Sequence, residues 1–509
     1  MARVLSLPGR EINRREALIA AGAAGLAVGG TAYAAGLDDL LPLPSGESDR
    51  IVPRANVVIV IIDSLRKDHV GAFGGARAAT PNMDALARES VRFPDACHEA
   101  MPTIPVRRSL VRGRRVYPFR GWRPVPQLAP ELGWQGIGPR ETLFTDVLAR
   151  RGYLTGYVTD NPHILLQPFD VFRRRFDVAT TVSGQLPLRN DVRVQVSRRV
   201  LRRHMPPERH GRDRNRVGTY LTLNRPGRPE SDHLGARVLS AGMDFLDRAK
   251  RENRPFALIV DSFDVHEPWD PPIAYLNRYG GPGKGGYRPI HPFKTPLGRT
   301  DELAGNTMVL ARRLYAAEVT FVDAWLGRFL RKLDELGFRE NTWVVLTSDH
   351  GVQLGERGVI GKDPDLLHRE LIEVPFMIRH PRGLAAGRQS RYFASAHDVG
   401  PTLLRGTGAP VPAHMNGVDL GTVFAGRRPR GRRLFTSAWG ARVIAGDGRW
   451  LLVADFGGGN PHLYDTQRDP AERRNVARRH PALVRRLYRE ARRDAGRRGF
   501  PRAAQAFLP

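Results

Sequence analysis

Cysteine is almost missing from this chain. The single Cys97 excludes an intramolecular disulfide and any cysteine-built zinc cluster, so whatever holds the fold is not a staple. Acidic residues are also in short supply, with 52 Asp and Glu against 80 Lys and Arg and a net charge of +28. A field of that sign attracts anions, whether nucleic acid, anionic lipid or small esters. The arginines are nevertheless spread along the whole length, as in FRRRF (172–176), SRRVLRRH (197–204) and AGRRPRGRR (425–433). There is no single basic block and no interleaved aromatic platform, which argues against a specific nucleic-acid footprint. Anionic small molecules, glycans or lipid esters remain as the expected partners. At 509 residues with 41% hydrophobic content, the chain has room for one large domain and a smaller appended one, and wholesale disorder is excluded.

The N-terminus carries an address. INRREALIAAGAAGLAVGGTAYAAG (12–36) sets Arg14 and Arg15 before an apolar stretch from Ala17 to Ala35, and the small-residue pattern Ala32-Tyr33-Ala34 closes it. Residues 1–35 read as a twin-arginine-like export signal or, uncleaved, as an N-terminal membrane anchor, with a linker over 36–53. The expected location is the periplasm, the cell envelope or the exterior.

From Asn56, NVVIVII is a continuous β-branched run, as in a strand buried on both faces of a parallel sheet. TPNMDALARES follows, with Thr80 as expected N-cap and Pro81 at the first helical position. Helix-then-strand pairs recur over 141–160, 232–263 and 307–349. This alternation predicts a doubly wound, mostly parallel α/β sheet flanked by helices, with ligands at the carboxyl ends of the strands. The Arg- and Pro-rich segment 184–231 lacks sustained periodicity and reads as an insertion over the sheet edge. Beyond about 426, short strands around a Gly-Asp-Gly turn and a final helix predict a small C-terminal antiparallel α+β subdomain, leaving 54–425 as the catalytic domain. No internal repeat is visible.

Polar groups collect where these strands end. Asp63 closes the first, Asp349 and His350 close another, Asp264, His266 and Glu267 follow a third, and Thr103 opens a helix in MPTIPVRRSLVRG. Two carboxylates, an imidazole and a hydroxyl form a mixed O/N donor set suited to Mn, Zn, Mg or Ca. A metal bound to Thr103 would lower its hydroxyl pKa and make it a nucleophile, and Arg107, one turn on, could clamp the equatorial oxygens of a transferring phosphoryl or sulfuryl group.

At these residues the chain resembles the sulfatases of the alkaline phosphatase superfamily. The carriers of the resemblance run from 54 to 480: NVVIVIIDSLRKDHVGAFG, TPNMDALARESVRF, MPTIPVRRSLVRG, FDVHEPWDPP, VVLTSDHGVQLGERGVIGK, VPFMIRHP, HDVGPTLLRGTGAPVP and HLYDTQRDPAERRNVA. The resemblance implies metal-dependent ester cleavage, with the ion held by Asp63, Asp349 and His350 and the anion or leaving group met by Arg107, His266 and Lys362. One divalent ion is expected, with His163 and His368 as candidates for the substrate pocket or for a second ion. Three departures stand out. Sulfatases carry Cys or Ser at the head of a Cys-x-Pro-x-Arg motif, oxidised to formylglycine, where this chain has Thr103-Ile104-Pro105-Val106-Arg107. A second aspartate after the first strand is replaced by Ser64, and the segment TDNPH (159–163) lacks the lysine of the sulfate-binding turn. Formylglycine hydrate has a second hydroxyl that expels sulfate, and threonine has none. A phospho-threonine can be cleaved by water at phosphorus, so Thr103 tilts the expectation towards phosphate esters within a sulfatase-like hydrolase. The alternatives are a transferase passing a phospho-substituent to an envelope lipid or glycan, and an inactive anion-binding member of the fold.

Overall fold

Alternate residues of the first strand face opposite apolar layers. In β1 (Asn56–Ile62), Val57, Ile59 and Ile61 join one buried cluster while Val58, Val60 and Ile62 join the other. An unbroken β-branched run is the only pattern that satisfies both faces at once. These relations come from a computed structural model, which describes residues 48–185, 192–206, 214–290, 298–299, 303 and 305–501. The paired arginines and apolar stretch of the N-terminus lie outside the described residues. Among the described residues no helix is long and apolar enough to cross a membrane.

The remaining strands in chain order are β2 (Val91–Arg92), β3 (Leu154–Thr159), β4 (Val178–Thr181), β5 (Phe256–Ser262), β6 (Gly298–Arg299), β7 (Thr342–Thr347), β8 (Gln353–Leu354), β9 (Val359–Gly361), β10 (Phe376–Arg379), β11 (Phe435–Trp439), β12 (Arg442–Gly446), β13 (Trp450–Asp455) and β14 (His462–Asp465). Seven of them form the central sheet in the order β2-β10-β7-β1-β5-β3-β4. β7, β1, β5, β3 and β4 run parallel; at one edge β10 is added antiparallel to β7, and β2 pairs antiparallel with β10. The Leu234–Glu252 and Thr307–Glu335 helices cover one face, and the Thr103–Arg112, Phe144–Ala149 and Val399–Gly406 helices cover the other. The doubly wound expectation holds, as does the antiparallel C-terminal sheet, β11-β12-β13-β14, against which the Pro481–Asp494 helix buries Leu487 and Ala491.

Some elements differ from the sequence reading. β2, β4 and β10 were not expected: each is four residues or fewer, too short to show a period. The insertion contains two helices, Arg198–His204 and Arg214–Leu223, whose Leu201, Val217, Tyr220 and Leu221 are buried in the core. Thr80 does not cap the helix that begins at Pro81. The backbone N–H groups of Asn82 and Met83 donate instead to Asp323 at 3.1 and 2.7 Å, while the Thr80 hydroxyl accepts from the Gly71 N–H at 2.9 Å.

Packing between β3 and the Leu234–Glu252 helix leaves no room at Gly156, where a Cβ would lie 2.4 Å from the Phe245 ring and 2.9 Å from Leu258. Gly156→Ala is expected to lower stability by ~1–3 kcal/mol, the usual cost of overpacking, read as a lower urea midpoint.

Candidate metal centre and nucleophile

The centre forms because three parallel strands deliver acids to one edge of the sheet. β1 ends at Asp63, β7 is followed by Ser348, Asp349 and His350, and β5 carries Asp261 inside its apolar run. The Thr103–Arg112 helix then inserts Arg107 among them. Its guanidinium donates from Nε and Nη2 to the two oxygens of Asp261 at 2.8 and 2.7 Å, from Nη1 to Asp349 at 2.6 Å and the Thr103 carbonyl at 3.1 Å, and from Nη2 to Asp63 at 3.0 Å. All five N–H donors are thereby used. This corrects the expectation that the fork of Arg107 is free to clamp substrate oxygens, because in this structure it holds the acids in place from behind.

Asp63, Asp349 and His350 offer ligand atoms that all lie within 4.8 Å of one another, and all three are fully buried. The donor chemistry fits a divalent cation on two counts. Three buried carboxylates, Asp63, Asp261 and Asp349, face one guanidinium, which leaves a formal excess of two negative charges when all are ionised, and an excess of that kind is unstable away from water unless a cation offsets it. In addition, His350 Nδ1 donates to the Gly351 carbonyl at 2.8 Å, which leaves Nε2 with its lone pair turned inward. Burial and the adjacent charge of Asp349 push Asp63 well above the usual carboxylate range, whereas at Asp349 burial is outweighed by His350 and Arg107, and its pKa is held down.

Thr103 is the first residue of its helix, following Pro102 at the cap position, so it is not the N-cap. Its hydroxyl oxygen instead stands 3.4 Å from His350 Nε2, and the residue is 4% exposed. Ser64, with a left-handed φ of 60°, turns its N–H to Asp349 at 3.0 Å and its hydroxyl to Asp63 at 2.8 Å, and so serves as an orienting donor in place of a further carboxylate.

The histidines and Lys362 form the side that keeps some exposure. His266 stacks on Phe263 with ring centroids 4.0 Å apart, and its Nδ1 donates to the Glu267 carbonyl at 2.8 Å. Burial, with Lys362 nearby, holds its pKa well below the ordinary value, which favours the neutral ring with Nε2 as an acceptor. Lys362 Nζ donates to Glu267 at 2.8 Å. His163 packs edge-on against Trp134 at 4.8 Å, and burial, Arg107 and Lys362 lower its pKa to about 3. His368 belongs elsewhere: its Nδ1 pairs with Glu472 at 2.7 Å and its ring lies against Tyr464 of β14, a tie to the C-terminal sheet. Asp264 likewise points away from the triad, to the Gly235 N–H at 2.8 Å and Gln185 at 2.7 Å. Sequence reasoning missed Asp261 and Tyr157, whose hydroxyl donates to Asp261 at 2.6 Å. An acid inside FALIVDS is itself the signal, since a charge in a buried strand requires a partner.

A hydroxyl-bearing helix end beside an acid–imidazole triad, at the carboxyl edge of a doubly wound sheet, is an arrangement suited to hydrolases of esterified oxyanions. Residues 55–409 match the Sulfatase family model, and the chain belongs to the sulfatase family, within the alkaline phosphatase superfamily. It is a hydrolase of a family that generally depends on a divalent metal. It is 25% identical over 462 residues to the uncharacterized sulfatase YidJ of Escherichia coli (strain K12), with 83% of each chain covered. Its fold matches the phosphonate monoester hydrolase of Agrobacterium radiobacter with a TM-score of 0.64 at 22% identity, covering 87% of this chain and 95% of that one. A structure solved in complex with its substrate D-glucosamine-2-N,6-O-disulfate gives a TM-score of 0.64 at 17% identity, over 87% of this chain and 98% of that one.

His98 joins the metal strand to the body of the fold. Its Nε2 donates to the Ser348 carbonyl at 2.6 Å and its Nδ1 accepts from the Ala396 N–H at 3.0 Å, so protonation would set an N–H against an N–H. Burial lowers its pKa to about 4 from an ordinary 6.5. Between those values, the unfolded chain binds protons that the folded chain refuses at His98 and His163. The stability they contribute is complete above about pH 6.5 and is lost as pH falls, by up to ~1.4 kcal/mol per pH unit for each group. Urea midpoints measured from pH 7 to 4 are expected to fall steadily, and His98→Gln should flatten the slope.

Proposed function

We propose that this chain is an exported, divalent-metal-dependent ester hydrolase with Thr103 as nucleophile, acting on phosphate or phosphonate esters in preference to sulfate esters. The observation that carries the reading is the hydroxyl of Thr103 beside His350 Nε2, at the mouth of the Asp63–Asp349–His350 triad. A divalent cation held by those three residues would offset the excess carboxylate charge and lower the pKa of the hydroxyl.

The residues of the chain then divide the work. Arg107 and Ser64 fix the carboxylate orientations. Lys362, with one N–H on Glu267, has two left to meet the negative oxygens of the ester, the role expected earlier of Arg107. Thr103 Oγ1 attacks phosphorus, forming the Oγ–P bond as the bond to the leaving oxygen breaks, and the hydroxyl proton ends on the leaving group. Water then attacks phosphorus and gives a proton to the neutral Nε2 of His266 as the Oγ–P bond breaks; Thr103 takes a proton from the solvent and His266 releases its own to the solvent, which restores both groups. A sulfo-threonine would be released slowly, because threonine has no second hydroxyl with which to expel sulfate.

A sulfated glycan ester is the second reading, supported by the family and by the fold neighbour that binds a disulfated glucosamine. Aryl sulfate, phosphate monoester, phosphate diester and phosphonate ester substrates, each with Mn, Zn, Ca and Mg, separate the two. Turnover of phosphorus esters is expected to exceed that of sulfates, to vanish in chelator and to fall at least about a thousandfold in Thr103→Ala, with partial recovery in Thr103→Ser. Undiminished turnover by Thr103→Ala would remove the nucleophile, and activity confined to sulfates would reverse the preference.

A further inference from the structure

A cavity of about 800 Å³ opens where the C-terminal sheet and final helix meet the main body, lined by the segments around Glu99, Arg115, 393–397, 428–436 and 490–494. None of the triad residues lines it. Its size is that of a small-molecule site, and its walls hold five guanidinium groups.

Two of these form a fixed floor. Arg432 donates to both oxygens of Asp398, to the Phe393 carbonyl and to His397. Arg115 donates to both oxygens of Asp494 at 2.6 Å and to Thr436 at 2.9 Å. The side chains of the other three, Arg428, Arg433 and Arg493, make no hydrogen bond or ion pair among the described residues. Of the carboxylates facing the cavity, Asp494 is committed to Arg115, and Glu99 accepts from the Val116 and Tyr117 N–H groups at 2.9 and 2.8 Å. Glu490 alone remains to oppose three unpartnered arginines. Planar forks in excess over carboxylates, converging on a concave surface, match a tetrahedral oxyanion with several acceptor oxygens.

We infer that this cavity is a second anion site, which binds a small polar molecule carrying phosphate or sulfate groups and is separate from the centre where ester bonds are cleaved. It also touches the framework of the nucleophile. Glu99, which lines the cavity, donates its N–H to Ser395 at 3.0 Å and belongs to the segment that leads into Thr103.

The test uses the full-length protein with its metal and two probes, pyrophosphate and inorganic sulfate, titrated calorimetrically. Wild type is expected to bind pyrophosphate at two sites. Arg428→Ala/Arg433→Ala, which alters exposed residues without partners, should retain turnover at the ester centre and lose the second site or weaken it at least tenfold. Thr103→Ala should keep it. Stronger binding of pyrophosphate than of sulfate at that site would identify a phosphate-bearing ligand, and the reverse a sulfate-bearing one. A single site in wild type, or two unchanged sites in the double variant, overturns the inference, and the melting temperature of the variant without ligand shows whether its fold is intact.

Discussion

Arg107 carries one positive charge into a compartment with three carboxylates, and the active end of the sheet is organised around that contact. A buried ion pair of this kind is a poor source of net stability, but removing one partner leaves a charge stranded, at a cost of ~3–5 kcal/mol. The bidentate grip on Asp261 orients the fork, and the fork then fixes Asp349 and Asp63. Tyr157 on the neighbouring strand holds Asp261 from the other side. Strand order matters here: β7, β1, β5 and β3 are consecutive in the sheet, so residues far apart in the chain arrive as neighbours along one edge.

This arrangement changes what the motif around Thr103 means. Read as sequence, Thr-x-Pro-x-Arg sets a hydroxyl and a guanidinium one helical turn apart, as if both addressed the substrate. In the folded chain they face different ways: the Arg107 Nη1 donates back to the Thr103 carbonyl and on to Asp349, whereas the Thr103 hydroxyl faces His350. The arginine acts through the acids it positions, and the cation left near the exposed side is Lys362, tethered by Glu267.

The architecture was largely legible in the sequence because its signals are long. Six consecutive β-branched apolar residues in β1 mark a strand buried on both faces, and a nineteen-residue helix from Leu234 and a twenty-nine-residue helix from Thr307 show their period clearly. The triad was legible because each member ends or follows a long strand. What was not legible depends on partners distant in sequence. His368 appears in the same stretch as Lys362, but Glu472, over a hundred residues on, draws it to the C-terminal sheet. Thr80 precedes a proline in the manner of a cap, yet Asp323 from the long helix takes the helix N–H groups first. The role of Asp261 required the knowledge that β5 lies beside β1, which no local pattern provides.

The neutrality of the histidines follows from the same compartment. Arg107 and Lys362 both oppose protonation of His163 and His350, and Lys362 opposes it at His266, while burial works in the same direction at all three. Imidazoles whose protonation is opposed in this way are neutral acceptors of low basicity, and they hold no imidazolium proton to give to a leaving oxygen. On the mechanism proposed, departure of the leaving oxygen would therefore rest on a cation held by the triad and on the acidity of the leaving alcohol.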